Sequence, residues 1–394
     1  MNDRRGQFIH PRQRLTRRRF LQFAALATGG LLLPACMSDD DESTGTPGAT
    51  STPSEDELVV VTAVSGYDNP TVWEGRTLTV TSWGGEYEEA QRRAIFEPFE
   101  RLTGAKIDVA GTDVAELRRM VEQEETSWDV SDVLFEDVLP LANLGVLQTL
   151  DYNVIDPEGL SSSSRMEHGV ASSYYSTVLT YRTDRWPDLP APASWRDFWD
   201  IERYPGTRGL HRQPQGTLEF ALLADGVALD EIYPIDVPRA LSVLDRVVPE
   251  IALWWEQGAQ PAQMVTAGDL DMSSAWHSRI LRLQDEEAAF AIQWNGGALS
   301  GDAWVIPGGT PNLDVAMDFI NFATRPEVCA AFSTIVPFGP VNTGTFDLLP
   351  PEITERLPTA PQHRDVQFIT DFEWWFQHRE AVEAEFDDWM AEHP

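Results

Sequence analysis

"LTVTSWGGEYEEAQRRAIFEPFERLTGAKIDVA", residues 78–110, is the stretch on which the fold turns. Leu78 to Trp83 is a short apolar run that reads as a buried strand, and Gly84-Gly85 ends it. Tyr87, Ala90, Ala94, Ile95, Phe99 and Leu102 then recur at helical spacing over residues 86–102, and Thr103-Gly104 stops the helix. Lys106 to Ala110 is the next strand. A helix (Val114 to Glu124), a strand (Val130 to Phe135) and a short helix (Val138 to Leu144) continue the alternation. Strand-helix alternation of this kind specifies an α/β fold with a parallel sheet covered on both faces.

The pattern resumes further along the chain. After Tyr174 to Tyr181 come helices near Trp195 to Trp199, Thr217 to Ala224 and Val237 to Val247, then short strands at Leu270 to Ala275 and Ala303 to Ile306. Leu313 to Thr324 carries a helical apolar face, and the aromatic, acidic tail from Phe372 to Met390 reads as a helix. In the other direction, Leu58 to Val64 is a short β-rich run. Residues 37–57 offer only Met37 and Ala49 as non-proline apolar side chains and read as a disordered tether. The rest exceeds the roughly 250–300 residues at which one core stops growing, so two domains are expected.

The N-terminus has a different character. Three consecutive arginines, Arg17 to Arg19, precede an apolar stretch from Phe23 to Leu33 and then Leu-Pro-Ala-Cys at 33–36. The run is shorter than the ~20 apolar residues a membrane-crossing helix needs, and it ends at small residues. It resembles a twin-arginine export signal with a lipobox. That resemblance implies removal of the leader and lipidation of Cys36, anchoring the chain to the outer face of the cytoplasmic membrane.

Charge limits the partners. Of 394 residues, 29 are Lys or Arg and 63 Asp or Glu, a formal net charge of −34. A field of that sign excludes ordinary nucleic-acid binding, whose affinity comes from neutralising phosphates. Residues 1–35 hold seven arginines and one aspartate, so the remainder is more acidic still. Lys106 is the one lysine, and arginine with such an acid excess suggests a high-salt habitat. Beyond Cys36 the one cysteine is Cys329, in the apolar run Val328 to Phe332, which reads as a buried inert thiol.

Catalytic motifs are missing from the sequence. There is no His-Glu-x-x-His, Cys-x-x-Cys, Gly-x-Ser-x-Gly or phosphate-cradling Gly-rich loop with Lys. No metal site, cofactor or enzymatic activity is expected, and the two lobes suit reversible binding.

From Ser194 onward, "SWRDFWDIERYPG" (194–206), "GTLEFALLADGV" (216–227), "WWEQGAQ" (254–260), "MSSAWHSR" (272–279), "GDAWVIPGGTPN" (301–312), "AMDFINFATRPE" (316–327) and "PFGPVNTG" (337–344) resemble the spermidine/putrescine-type solute-binding proteins of ABC importers. Residues 78–107 and "WDVSDVLFEDVLPLANLGVLQTLD" (128–151) fit the same pattern. The resemblance implies a type II periplasmic-binding-protein-like fold, two α/β lobes joined by crossover strands and closing on a small-molecule ligand. Lobe 1 is then expected at 58–180 plus about 303–345 and lobe 2 at 181–302, with the helical segment 346–394 packed on them. The implied partners are a polyamine-like ligand and a membrane permease with its ATPase, and the receptor is expected to be a monomer.

Mapped by position, the resemblance makes Trp83 and Trp276 aromatic walls and Asp302 the carboxylate for an amine. A cation over an indole gains ~0.5–2 kcal/mol, and a buried carboxylate fixes where the charge must sit. Glu136 and Asp137 follow a strand where the family places ligand contacts, although acids there also suit a helix N-terminus. Tyr174 and Tyr175 are adjacent in a strand and face opposite ways, so only one can line the cleft, and Tyr175 is expected to be that one.

Two positions depart from the polyamine pattern. Ser300 stands where the family has a further Trp, and Arg212 to Gly216 replace an acidic pair. Arg212 near the cleft would repel one ammonium, unless Glu219, one helical turn in, compensates. These departures count against a linear diamine gripped at both ends and point to another amine, a zwitterion whose carboxylate meets Arg212, or a different small polar solute. An iron or oxyanion receptor and an exported hydrolase using Glu136 and Asp302 are the rival readings.

Overall fold

The computed structural model describes residues 61–393. The signal, Cys36 and the tether lie outside them. β1 (Thr77–Ser82) and β2 (Lys106–Gly111) pair in parallel, Leu78 opposite Ile107. The helical run between them is α-helix at Gly85–Gln91 and Glu97–Thr103 with a π-turn at Arg92–Phe96. Gly104 ends it at φ +80°, where a Cβ would stand 2.6 Å from the Pro70 carbonyl oxygen. Only glycine fits that turn.

β3 (Ser131–Leu134), β4 (Val170–Arg182), β5 (Arg208–His211), β6 (Ile251–Trp255), β7 (Met272–Trp276) and β8 (Phe290–Val305) form the second sheet, in the order β3-β8-β4-β7-β5-β6. A short β9 (Phe368–Ile369) lies parallel beside β8. β4 and β8 are antiparallel and pass from one core into the other. Core 1 takes Val170, Ala171, Tyr174, Leu299, Ala303 and Trp304 from them, together with Leu78, Val80, Phe99, Phe319 and Phe322. Core 2 takes Leu179, Tyr181 and Ala298, together with Trp195, Phe198, Phe220 and Leu244. These are two α/β lobes on shared crossover strands.

The helix Phe372–Glu392 bridges them. Phe372 meets Phe135 edge to face at 5.7 Å beside core 1, while Trp375, Val382, Phe386, Trp389 and Met390 are buried in core 2. Its acidic face remains in water.

Candidate functional site

Strand ends collect the site. β1 runs into Trp83, β3 into Glu136 and Asp137, β5 into Arg212, and β6 and β7 end on Trp255 and Trp276. Open α/β sheets place ligands at such ends. Tyr175 on β4 ties the two halves together. It pairs in register with Ser300 of β8, and its ring meets Trp276 edge to face at 6.2 Å. Its neighbour Tyr174 points the other way into core 1, hydroxyl to Ser164 Oγ at 2.8 Å.

In lobe 1, Asp302 is buried and accepts from Ser173 Oγ at 3.1 Å. Trp83 is 43 % exposed, and its indole N–H helps steady the Asp302 charge. A second buried carboxylate, Asp132, lies on the same face of the sheet, because Leu134 is opposite Asp302 and Asp132 is two residues earlier. Asp132 accepts from Tyr87 Oη (3.0 Å), Gln91 Nε2 (2.8 Å) and Ser172 Oγ (2.7 Å). Burial pushes both carboxyls above the usual range, and the Asp132 charge adds to the rise at Asp302. Among the described residues neither belongs to an ion pair.

In lobe 2, Trp276 meets the fully buried Trp255 edge to face at 6.1 Å, and Trp255 stacks on His211 at 3.9 Å. A Cβ at Gly258 would overlap the Trp276 ring, so the bare backbone there backs the indole. Arg212 is half exposed, with Nη1 donating to Glu256 Oε1 at 2.7 Å. His277 is buried between the lobes. Its Nδ1 accepts from the Ser176 amide at 3.2 Å, and Nε2–H donates to the Pro337 carbonyl at 2.6 Å. Burial lowers its pKa to about 4, so the imidazole is neutral.

Other expected contacts sit differently. Glu219 belongs to lobe 2's interior, where it accepts from the Gly216 amide (2.7 Å), Tyr233 Oη (2.7 Å) and Trp375 Nε1 (2.9 Å). Those three donors correct the expectation that it compensates Arg212: the carboxylate props up the Gln215-Gly216 turn. Glu136 is held across the lobes by Gln215 Nε2 (2.8 Å) and Arg379 (3.4 Å). Asp137 beside it rises to about 6, chiefly by burial and then by the Glu136 charge.

Asp132, Tyr87, Ser173, Trp255 and His277 are absent from the sequence-derived set. Asp132 alone announced itself, as a charge inside an apolar strand. A cavity of about 1200 Å³ lies elsewhere in lobe 1, between Tyr67, Trp73 and Arg76 on one side and Asp314 and Asp318 on the other. Its polar groups already bond one another.

Residues 94–361 match a family described as bacterial extracellular solute-binding protein. The chain is 39 % identical over 327 residues to a gamma-aminobutyric acid-binding protein of Pseudomonas aeruginosa, covering 81 % of this chain and 92 % of the relative. It is 34 % identical to an ABC transporter substrate-binding protein from Bradyrhizobium japonicum (TM-score 0.76, 80 % of this chain and 100 % of that one). It is also 34 % identical to the Atu4243 GABA receptor (TM-score 0.74, 81 % and 99 %). A spermidine/putrescine-binding periplasmic protein of Salmonella typhimurium is 22 % identical over 292 residues, 71 % of this chain and 82 % of that one.

Proposed function

We propose, from the premise that this chain belongs to the bacterial extracellular solute-binding proteins and is the substrate-binding protein of an ABC transporter, that its cargo is a small zwitterionic amine of the γ-aminobutyrate kind. One observation carries the reading: Asp302 is a buried carboxylate at the lobe junction with no cationic partner among the described residues. To be ionised there it needs a cation from outside. Trp83 and Trp276 supply indole walls for a short aliphatic chain, and Tyr175 stands between Asp302 and Trp276.

A linear diamine needs a second free carboxylate in lobe 2. Glu219 is taken up by three donors, and Glu256 is paired with Arg212. What lobe 2 offers at its strand ends is the half-exposed guanidinium of Arg212, which suits a ligand carboxylate. Relatives named for γ-aminobutyrate are far more similar to this chain than those named for polyamines, in the same sense. The receptor works as an exported lipoprotein anchored through Cys36, handing its ligand to a permease driven by an ATPase.

Thermal unfolding tests the reading. Ligand at 100 times its Kd adds ~2.7 kcal/mol of stability. γ-Aminobutyrate is expected to raise the midpoint and putrescine to leave it unmoved, with the rise cut to about half or less in Asp302→Asn. A shift with putrescine and none with γ-aminobutyrate would restore the polyamine reading.

A further inference from the structure

We propose that the empty receptor stores one proton on the Asp302 carboxyl, within the chain Asp302–Ser173–Tyr87–Asp132, and that an arriving ligand ammonium displaces it to solvent. The inference rests on the reading of Asp302 as the ammonium site and makes Asp132, which need not touch ligand, a positioning residue for it.

Hydrogen-bond geometry supplies the argument. Asp132 Oδ2 to Tyr87 Oη is 3.0 Å, Tyr87 Oη to Ser173 Oγ is 3.2 Å, and Ser173 Oγ to Asp302 Oδ2 is 3.1 Å. Each link needs a proton. With both aspartates ionised, the two hydroxyls donate outward to the carboxylates, and two oxygens face each other at 3.2 Å with no hydrogen between them. Three links and two hydroxyl protons do not match. One carboxyl proton completes the set: Asp302 donates to Ser173, Ser173 to Tyr87, and Tyr87 to Asp132.

The proton belongs on Asp302. Gln91 Nε2 and Ser172 Oγ occupy the two oxygens of Asp132 in addition to Tyr87, which favours its charged form. Asp302 has one hydroxyl within hydrogen-bond reach, Ser173 Oγ at 3.1 Å, with the Trp83 indole as its other neighbour. The groups facing it are Asp132 from β3, Asp137 from the helix that follows, Tyr87 from the first helix and Tyr175 from β4, and none is cationic. Two carboxylates so placed do not both ionise without a counter-charge.

When the ammonium arrives, Asp302 loses its O–H to water and accepts an N–H from the ligand. The link that loses its hydrogen, Tyr87 to Ser173, is the longest of the three. One positive charge enters and one leaves. Capture is thus an exchange of proton for ammonium, and an uncharged isostere of the amine cannot drive it.

Calorimetric titration of the full chain with γ-aminobutyrate, in buffers of different ionisation enthalpy, counts the protons released. Near neutral pH about one proton per ligand is expected, with Kd falling about tenfold per pH unit while Asp302 is protonated in the empty protein. In Asp132→Asn the ligand still binds, but release at a given pH falls, because the Asp132 charge no longer adds to the burial that keeps the proton on Asp302. Difference infrared spectra give a second readout that does not depend on that variant folding: a protonated-carboxyl C=O band lost on adding ligand and missing from Asp302→Asn. Binding with no proton released between about pH 5 and pH 8, or no such band, overturns the exchange and leaves Asp302 as the ammonium site. Failure of γ-aminobutyrate to bind, or binding unaffected in Asp302→Asn, overturns the reading beneath it and the exchange with it.

Discussion

Asp302 takes its character from β8, which carries it into a buried layer beside Asp132 and Trp83. Asp302→Asn keeps the shape and removes the charge, so amine affinity should fall at least tenfold, the loss expected when one charge-assisted hydrogen bond becomes a neutral one. On the proposed reading of the site, Trp276→Ala removes a wall and a cation-facing ring, worth ~0.5–2 kcal/mol, or roughly 2- to 30-fold in Kd. Both are read by titration calorimetry, and a Kd unchanged in either variant would remove that residue from the site. His277 makes a different prediction, on stability. Burial lowers its pKa from 6.5 to about 4. The unfolded chain therefore binds a proton below pH ~6.5 that the folded chain refuses until about pH 4, and stability falls as pH drops through that window. The difference between wild type and His277→Gln should change across it by up to about 3 kcal/mol, and equal pH slopes would count against a neutral buried imidazole.

Elements were legible in proportion to their local periodicity. The run from Leu78 to Ala110 showed its strands and helix because each apolar pattern is confined to a few residues, and only the π-turn at Arg92–Phe96 escaped, since one widened turn barely shifts the period. β8 was the chief loss: its last residues read as a short strand at Ala303 to Ile306, whereas the strand runs 16 residues from Phe290. Gly296, Gly297 and Gly301 interrupt it and mimic a turn. At Gly301 the reason is steric, because a Cβ would lie 2.5 Å from the Ser173 carbonyl oxygen and 2.8 Å from the Phe135 ring. Gly301→Ala should thus destabilise by ~1–3 kcal/mol, the usual range for overpacking, and weaken ligand binding by displacing Asp302. A variant with unchanged melting temperature would show that the strand yields. Site residues followed a different rule. Trp83 and Trp276 at strand ends, and Asp302 within β8, are named by the family resemblance rather than by periodicity, while Tyr87, Ser173 and His277 depend on pairing between elements far apart in sequence. Asp132 was visible as a charge in an apolar strand, but its neighbour Asp302 lies 170 residues away across the β3–β8 pairing. Glu219 shows the converse: its helical position is plain, and only the three-dimensional packing reveals that Tyr233 and Trp375 take it inward.

Across the whole molecule, opening the lobes must break what crosses between them apart from β4 and β8. Arg379 of the C-terminal helix reaches Glu136 at 3.4 Å and donates to Gln215 at 2.9 Å, Arg282 pairs with Glu86, and Arg356 pairs with Asp285 at 2.7 Å. The pairs are partly exposed, so each contributes up to ~1 kcal/mol at low salt rather than the energy of a buried bridge. If the Arg379 pair is made more fully in the liganded state, its removal weakens capture by about fivefold, since binding must then supply that free energy. Arg379→Met keeps the stem over the Trp375 ring, from which the guanidinium carbon now stands 5.9 Å, and removes only the charge. Small-angle scattering should show the ligand-free variant more extended than wild type, with the difference closing on saturation by ligand. Salt separates charge from packing. At molar ionic strength the Debye length is ~3 Å, and an exposed pair then contributes little. Wild type and Arg379→Met should therefore converge in Kd there, whereas a fivefold gap persisting in molar salt would assign the effect to packing of the helix. The same titration reports on the surface charge of −34. Its mutual repulsion opposes the compact state until salt screens it, so the unfolding midpoint of both proteins should rise together from low to molar salt.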